Sequence, residues 1–359
     1  MLKRISTKIK NSEQRYEVLI GKTIIESIPE LFHLKNYSKI AVITDENLQN
    51  SFLPIIEESL ERDLLSIILK PGENEKNIRN VEFIWNELIG NNFDRSSLVI
   101  NLGGGVIGDM GGFAASTFMR GIDFINIPTT LLAQVDASIG GKTAIDFHDI
   151  KNIIGTFDQP KMVLIDIETL ETLPLRELRS GFAEIIKHGI IADKEYFDSL
   201  KHYDAKKITS DWIKLIEGSV KIKKRIVESD VRESGKRKFL NFGHTVGHAI
   251  EAILLESQNP ITHGEAIALG MIAESRIALY LGRISDNEFS QIEDMIKFYG
   301  LPVRTELLNL ETIKTKMQKD KKNKEGEIKW VLPNGIGEVE SDLTVDDEIV
   351  EKSINCIFS

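Results

Sequence analysis

The first half of the chain alternates short apolar runs with amphipathic stretches. Apolar runs rich in β-branched residues occupy 40–44, 66–69, 98–102 and 124–127, and polar or turn residues bound them, which predicts buried β-strands. Helical periodicity appears over 76–90 and again after a glycine-rich turn, through residue 118. Strands separated by helices are joined by right-handed crossovers, so this half predicts an α/β domain with a parallel sheet.

The second half has a different pattern, with longer helical segments. Amphipathic or apolar periodicity extends over 175–192, 211–229, 241–257, 263–282 and 286–299, and turn signals such as Gly282 and Gly300 separate some of these segments. The change of pattern predicts two domains, an α/β domain over 1–174 and a mostly α-helical domain over 175–359.

Composition narrows the class of partner. A formal net charge of -10 argues against nucleic acid bound through a broad basic surface, although a few local cations can still bind a small anion. The single cysteine, Cys356, rules out an internal disulfide and fits a reducing compartment. The first residues lack the apolar stretch of a secretory signal, and no run reaches the roughly 18 apolar residues of a membrane span. We therefore expect a cytoplasmic protein without a membrane partner.

A glycine-rich turn at 103–108 follows a predicted strand and precedes a predicted helix. In this context glycines let the backbone approach a pyrophosphate, and the helix N-terminus favours the anion. A tight turn without a ligand is the alternative. The acidic residue about 20 positions further on, Asp123, precedes a strand instead of ending one, so Asp45 at the end of an earlier strand is the better ribose partner.

A second glycine-rich segment consists of Gly140, Gly141, Lys142 and Thr143. It resembles a phosphate loop but lacks the first glycine of that motif, which disfavours an ATPase. Two glycine-rich segments and Lys142 instead favour two phosphate-bearing ligands.

Candidate metal ligands occur in three segments of the second half. Glu184 and Lys187 share one helical face, His244 and His248 share another at i, i+4, and His263 opens a further helix. Two imidazoles and one carboxylate with open positions are typical of catalytic zinc. The spacing does not decide which two histidines bind, although it favours the i, i+4 pair.

Taken together, these motifs resemble the 3-dehydroquinate synthases, which are sugar-phosphate cyclases. The similarity extends from about residue 45 to 337, and its blocks occur in the family's order. They are the glycine turn with Asp109 and Arg120, and the segments 128–136, 140–143, 151–152, 181–187, 240–245, 263–266 and 320–322.

The resemblance implies NAD and a divalent metal, zinc or cobalt, as cofactors. It implies Glu184, His244 and His263 as metal ligands, which replaces the i, i+4 pair. The residues implied for NAD are Asp45, Asn47, Glu73, Lys76, Gly104, Gly105, Val106, Asp109, Thr129, Thr130, Lys142, Lys151, Thr169 and Thr172.

The implied reaction converts 3-deoxy-D-arabino-heptulosonate 7-phosphate to 3-dehydroquinate and phosphate. Catalytic roles are implied for His248, Lys187, Lys223, Asp136 and Asn241. Substrate contacts are implied for Lys142, Asn152, Arg237 and Lys321, and for Arg120 reaching a neighbouring subunit, which predicts a homodimer. The guanidinium of Arg237 suits a substrate carboxylate.

Three alternatives remain at this level. Another sugar-phosphate cyclase would act on a substrate without a carboxylate, a metal-dependent polyol dehydrogenase would release NADH, and a binding protein would not require a metal triad.

Overall fold

A computed structural model describes residues 1–8, 15–148, 150–254, 257, 260–306, 308–318 and 328–358. Its strands are β1 (Lys3–Lys8), β2 (Arg15–Gly21), β3 (Ile40–Asp45), β4 (Leu65–Leu69), β5 (Leu98–Gly103), β6 (Asp123–Pro128), β7 (Lys142–Phe147), β8 (Ile150–Phe157), β9 (Met162–Asp166), β10 (Trp330–Pro333) and β11 (Val339–Leu343). Its α-helices are α1 (Ile28–Leu31), α2 (Leu53–Leu60), α3 (Ile78–Gly90), α4 (Gly105–Thr117), α5 (Leu175–Ala192), α6 (Lys194–Ser199), α7 (Trp212–Ser229), α8 (His244–Leu254), α9 (His263–Tyr280), α10 (Asp286–Phe298), α11 (Leu310–Gln318) and α12 (Asp347–Asn355).

A seven-stranded sheet with the order β1-β2-β9-β6-β5-β3-β4 forms the centre of the first half. All its neighbouring strands run parallel except β1 and β2, which form an antiparallel pair. The four strands predicted from the apolar runs are β3, β4, β5 and β6. The prediction of an α/β fold with a mainly parallel sheet is confirmed.

The apolar runs are continuous because helices cover both faces of this sheet. Val42 packs with α1 and α2 on one face, whereas its neighbours Ala41 and Ile43 pack with α3 and α4 on the other. Every residue of β5 is buried. A strand enclosed in this way needs apolar side chains at successive positions, which explains why its sequence does not alternate.

The chain changes direction between β3 and β5. From β3 it passes through α2 to the edge strand β4, and from β5 it passes through α4 to β6 on the opposite side. The two helices lie on opposite faces. In such sheets the loops that leave the carboxyl ends of the two strands bound a crevice, where ligands bind.

The chain divides into two compact units. The first contains Met1–Leu173 with Ile208–Lys224, and the second contains Pro174–Lys207 with Arg225–Ser359. The segment 208–224, which the sequence pattern assigned to the second domain, thus groups with the first unit. An ion pair between Lys3 on β1 and Glu217 on α7, at 3.1 Å, ties it there.

Helices dominate the second unit, as expected from the sequence. The predicted helix 241–257 is shorter in the structure, because residues 236–241 form a 3-10 turn and Gly243 has φ +79°, so α8 begins only at His244. A side chain at Gly243 would also meet Met271 Cγ at 2.6 Å. None of the helices in the described residues is both long and apolar enough to cross a membrane.

Candidate active site

The glycine turn of the first unit lies at the crevice between β3 and β5. A Cβ on Gly104 would stand 3.0 Å from Thr130 Cγ2, so glycine permits this close approach. The backbone N–H of Thr129 donates to the Gly103 carbonyl at 3.0 Å. Because α4 begins at Gly105, its first N–H groups have no partner within the helix and favour an anion. The turn therefore has the geometry of a pyrophosphate site.

Asp45 ends β3 on the other side of the same crevice. Its Oδ1 accepts the backbone N–H of Asn47 at 2.9 Å, which fixes the loop that leaves the strand. Burial raises the pKa of the half-buried Asp45 carboxyl. A carboxylate at this position, next to the glycine turn, is the group that binds a nucleotide ribose in related architectures.

Lys76 connects residues predicted for two different ligands. Its Nζ donates at 2.5 Å to Oδ2 of Asp109, on the glycine-turn helix, and at 2.5 Å to Oδ1 of Asn152, on β8. Burial alone would lower the pKa of Lys76, but the carboxylates of Asp109 and Glu73 outweigh it and raise that pKa. Lys151 lies 3.6 Å from Glu73. One buried cation, Lys76, therefore contacts both Asp109, which is predicted to bind NAD, and Asn152, which is predicted to bind the substrate.

Thr169 and Thr172 lie in a turn after β9. Thr169 is 1% exposed, and its hydroxyl donates to the Asp166 carbonyl at 2.8 Å and accepts from Gln134 Nε2 at 3.0 Å. The Thr172 hydroxyl donates to the Thr169 carbonyl at 3.4 Å. These bonds explain the shape of the turn, and contacts of both residues with NAD stay a prediction.

The segment 140–143 is not a phosphate loop in the structure. Lys142 begins β7, which pairs antiparallel with β8, whereas the lysine of a phosphate loop stands at the start of a helix. This geometry gives no support to an ATPase. It leaves Lys142 and Asn152 on the same hairpin.

Asp136 and Lys223 form an ion pair within the first unit. Lys223 is buried, and its Nζ donates at 2.5 Å to both the carbonyl oxygen and Oδ1 of Asp136. Asp136 lies in a single π-helical turn over Ala133–Ala137, a feature that is frequent at functional sites. The structure thus brings together two residues predicted to act in catalysis.

Three helices of the second unit bring Glu184, His244 and His263 together. Glu184 is fully buried on α5, His244 opens α8 and His263 opens α9. Glu184 Oε1 lies 3.7 Å from His244 Nε2 and 3.6 Å from His263 Nε2. Ligands on a tetrahedral zinc with bonds of about 2.0–2.2 Å are separated by about 3.4 Å. One carboxylate oxygen and two imidazole nitrogens therefore converge as the donors of one divalent cation would.

Hydrogen bonds orient both imidazoles toward this point. His244 Nδ1 lies 3.1 Å from the Phe242 carbonyl, and His263 Nδ1 lies 3.1 Å from Glu251 Oε2. Each ring thereby directs its Nε2 to Glu184, and outer hydrogen bonds of this kind fix the tautomer of a metal-binding histidine. Burial lowers the pKa of His263, but Glu251 and Glu184 outweigh it and raise that pKa, so the site attracts a cation.

An overlapping set of donors shares His263. The ligand atoms of His248, Glu251 and His263 also lie within 4.8 Å of one another. In this set His263 would bind through Nδ1, which already faces Glu251. Sequence reasoning missed Glu251, although it follows His248 at i, i+3 on α8 and so lies on the same helical face.

Two buried charged residues lie beside the metal cluster, which is the set of Glu184, His244 and His263. Glu274 of α9 is fully buried and accepts the backbone N–H groups of Gly243 at 2.6 Å and Val246 at 3.1 Å, so it caps the start of α8. Lys187, one turn after Glu184 on α5, contacts Glu184 Oε2. The other carboxylate oxygen, Oε1, faces the histidines.

Arg237 and Asn241 lie on the 3-10 turn before α8. Arg237 is 2% exposed, and its Nη1 donates to the Val231 carbonyl at 2.6 Å. Asn241 Nδ2 donates to Glu233 Oε1 at 2.7 Å. The second unit therefore contains the metal cluster, His248, Lys187, Arg237 and Asn241, while Lys321 lies outside the described residues.

Arg120 follows α4 in the first unit in an unusual backbone conformation. Its φ is +72°, and that of the preceding Met119 is +50°. Arg120 is exposed, and within the described part of the chain its side chain has no hydrogen bond or ion pair. Within the same residues it donates no hydrogen bond to the last carbonyls of the helix, as a residue that caps the helix would.

Family models match most of the chain. The model of the 3-dehydroquinate synthase N-terminal region matches residues 66–180, and that of the C-terminal region matches residues 181–323. The chain is 45% identical over 341 residues to the 3-dehydroquinate synthase of Alkaliphilus metalliredigens, covering 94% of this chain and 95% of the relative. It is 40% identical over 347 residues to that of Ruminiclostridium cellulolyticum, covering 95% and 96%.

Solved structures of sugar-phosphate cyclases have the same fold. A 2-deoxy-scyllo-inosose synthase in complex with carbaglucose-6-phosphate, NAD+ and Co2+ aligns with a TM-score of 0.87 at 24% identity, covering 98% of this chain and 99% of the other. A 2-epi-5-epi-valiolone synthase from Streptomyces hygroscopicus with NAD+ and Zn2+ aligns with a TM-score of 0.87 at 25% identity, covering 96% and 97%. A glycerol dehydrogenase from Schizosaccharomyces pombe aligns less closely, with a TM-score of 0.66 at 15% identity, covering 95% and 88%.

Proposed function

The chain belongs to the 3-dehydroquinate synthase family, and we propose below which of its residues carry out the family's reaction. It is an enzyme that converts 3-deoxy-D-arabino-heptulosonate 7-phosphate to 3-dehydroquinate and phosphate, and it depends on NAD and a divalent metal. The reaction includes transient oxidation, β-elimination of phosphate, re-reduction, ring opening and intramolecular aldol closure. It belongs to aromatic amino acid biosynthesis.

We propose a metal site at Glu184, His244 and His263 because one ligand atom of each lies within 4.8 Å of the other two. When bound, NAD takes a hydride from the substrate and returns it, and the metal stabilises the oxygen anion that hydride loss requires. We assign zinc to this site because two imidazoles, one carboxylate and an open position suit catalytic zinc. Cobalt is accepted by the same donors, and solved relatives are described with Zn2+ or with Co2+.

Other residues of the second unit are assigned to the substrate. Lys187 shares the Glu184 carboxylate with the metal site, so its ammonium group lies where it stabilises an anionic substrate oxygen. His248 lies one turn after His244 on α8, with ring centroids 4.9 Å apart, and is placed to take a proton from the substrate or to contact its phosphate. Arg237 is assigned to the substrate carboxylate, and Asn241 to a hydroxyl.

The first unit is assigned to NAD. Asp45 and Asn47 bind the adenosine ribose, and the start of α4 binds the pyrophosphate. The Lys76 network supports this assignment, because it fixes Asp109 of the glycine-turn helix. We also propose that the functional domains divide near residue 174, and the division of the chain after Leu173 supports this boundary.

A homodimer is proposed from the exposed apolar side chains of the β7–β8 hairpin. Five large apolar side chains there are 37–50% exposed, namely Phe147, Ile150, Ile153, Ile154 and Phe157. Exposed large apolar side chains gathered on one hairpin favour an interaction site. Thr156 Oγ1 lies 2.9 Å from Ser116 Oγ, so the hairpin packs beside the end of α4, four residues before Arg120. A second copy bound to this hairpin would lie near Arg120.

A cytoplasmic location is proposed on the single cysteine, Cys356, which is unpaired as in proteins of a reducing compartment.

Phosphate release without NADH accumulation is the expected result when the protein is incubated with the heptulosonate phosphate, NAD and Zn2+. The hydride returns to the substrate within each turnover, so absorbance at the NADH band stays constant while phosphate appears stoichiometrically. Both signals are followed in one cuvette. Steady NADH accumulation would indicate a polyol dehydrogenase, and turnover of a neutral sugar phosphate but not of the acid would indicate another cyclase.

Glu251→Gln is expected to weaken zinc binding by about 10–100-fold, the usual effect of losing an outer-shell carboxylate. Glutamine keeps the size of the side chain but removes the charge that orients His263 through Nδ1. Zinc affinity is measured by competition with a chromogenic chelator, which is independent of turnover. Glu348→Gln, which changes an exposed carboxylate on α12 of the same unit, is the matched control and should bind zinc as the unmodified protein does. Equal zinc affinity for all three proteins would show that Glu251 does not contribute to the zinc site.

A further inference from the structure

A cavity of about 490 Å3 lies within the second unit and shares no residue with the metal cluster or with the predicted substrate set. The first turns of α5, the segment 201–206 and the end of α10 with residues 297–300 form its walls. Its volume is in the range of sites that hold small organic molecules.

Positive charge dominates the lining of this cavity. Arg179, Lys201, Lys206 and Lys297 contribute cations, against the one carboxylate of Asp204. Lys297 is paired with Glu293 at 3.0 Å. Within the described ranges, the side chains of Arg179, Lys201 and Lys206 have neither an ion pair nor a hydrogen bond. Three unpaired cations around one concave surface contrast with the chain's net charge of -10.

The wall that carries Arg179 is closely packed. Gly300 has φ +68°, and a Cβ there would stand 2.9 Å from Arg179 Cζ, so glycine lets the guanidinium lie against the backbone. The preceding Tyr299 stacks on Phe182 with centroids 3.9 Å apart, and its hydroxyl donates to the Leu200 carbonyl at 2.6 Å. Arg179 is half-buried by this packing, yet its five N–H donors bond to no protein acceptor in the described chain.

We propose that this cavity binds a small organic anion carrying at least two negative groups, either phosphate esters or carboxylates. Arg179 provides a planar fork that binds one such group bidentately. Lys201 and Lys206 neutralise the second group. Phe298, which is 53% exposed at the rim, offers an apolar surface for the carbon skeleton. The site is separate from the proposed active site and does not depend on its assignment.

The test is calorimetric titration of the full chain, loaded with zinc and NAD, with fructose 1,6-bisphosphate and, separately, with benzene-1,3,5-tricarboxylate. We expect each chain to bind one molecule of at least one of these probes, with an affinity that falls as salt is added. The cavity variant Arg179→Ala/Lys201→Ala/Lys206→Ala should bind at least about tenfold more weakly, because it loses charge-assisted hydrogen bonds. Because Arg179 is half-buried, thermal unfolding of this variant is measured alongside; the double variant Lys201→Ala/Lys206→Ala, in which both residues are exposed, should unfold as the unmodified protein does and should also bind the probe more weakly.

The matched control is Lys194→Ala/Lys316→Ala/Lys352→Ala, which removes the same charge from exposed residues of the second unit outside the cavity. It should bind within about twofold of the unmodified protein, because distant exposed charges are screened. Binding of only one probe identifies the class as phosphate ester or carboxylate. No binding of either probe, undiminished binding by the cavity variant, or equal losses in both triple variants would overturn the proposal. The cavity variant should keep its turnover, so a failure of the proposed active-site assignment would appear in a separate assay.

Discussion

His263→Ala is expected to abolish tight zinc binding while the first unit stays folded. His263 supplies one of three converging donors, and its Nε2 lies 3.6 Å from Glu184 Oε1. If the roughly 10–16 kcal/mol of a four-ligand zinc site is shared among its ligands, the loss of one weakens binding by roughly 10²–10³-fold. Turnover should fall by about 10³-fold or more, because the metal contributes several kcal/mol to charge stabilisation. Elemental analysis after dialysis gives the zinc content, and titration with NAD reports on the first unit.

His248→Ala is the matched variant for this prediction. It removes an imidazole one helical turn from His244 on α8, so it should retain zinc and lose turnover. The overlapping set of His248, Glu251 and His263 predicts the reverse. If His248→Ala released zinc while Glu184→Gln kept it, the metal would lie in that overlapping set.

Local sequence patterns predicted the parts of the fold that depend on local burial. The runs that form β3, β5 and β6 are apolar because each of these strands lies between two layers of helices, whereas β4 is an edge strand that packs on one layer and leaves Ile68 39% exposed. The long helices α5, α7, α9 and α10 were predicted to within a few residues, since an apolar stripe at helical spacing is visible in any window of that length.

Strand pairs that depend on distant residues could not be predicted in the same way. The β1–β2 hairpin joins the sheet through β9, and the loop after β2 is fixed by Asp166, which accepts the backbone N–H of Ile24 at 2.6 Å across 142 positions of sequence. In β1 the buried positions alternate, at Ile5 and Thr7, but only Ile5 is apolar, so its sequence lacks an alternating pattern of polar and apolar residues. The partner of β2 on its other side, β9, begins only at Met162, so no local window contains both strands.

The metal cluster shows the limit of spacing arguments. Spacing favoured His244 with His248, because i, i+4 places two side chains on one helical face. The structure instead turns His244 and His263, from two different helices, toward Glu184. Glu274 had no sequence signal at all, because its role as a cap for α8 arises only where α9 crosses the start of that helix. Both the pair of histidines that faces Glu184 and the capping role of Glu274 therefore depend on contacts between helices.

Arg120→Ala is expected to leave the fold and NAD binding nearly intact and to weaken substrate binding by about 1.5–3 kcal/mol, the value of one charge-assisted hydrogen bond. Two consecutive non-glycine residues with positive φ, Met119 and Arg120, cost roughly 1–3 kcal/mol each, and such strain persists where a function constrains the backbone. Arg120 is exposed and has no side-chain partner within the described part of its own chain, as expected if it contacts the substrate bound by a second subunit. The KM for the heptulosonate phosphate measures the loss, and Arg120→Lys should recover part of it.

Subunit mixing decides whether Arg120 acts across the proposed dimer. Arg120→Ala and Lys187→Ala proteins, each of low activity, are mixed and allowed to exchange subunits. In a mixed two-fold dimer one site combines the intact Lys187 of one chain with the intact Arg120 of the other, so a random mixture should recover up to about a quarter of the unmodified activity. Mixing Arg120→Ala with Arg120→Lys is the control, since no site in that mixture regains the native arginine. Absence of recovery after subunit exchange has been demonstrated by mass spectrometry would place the action of Arg120 within its own chain.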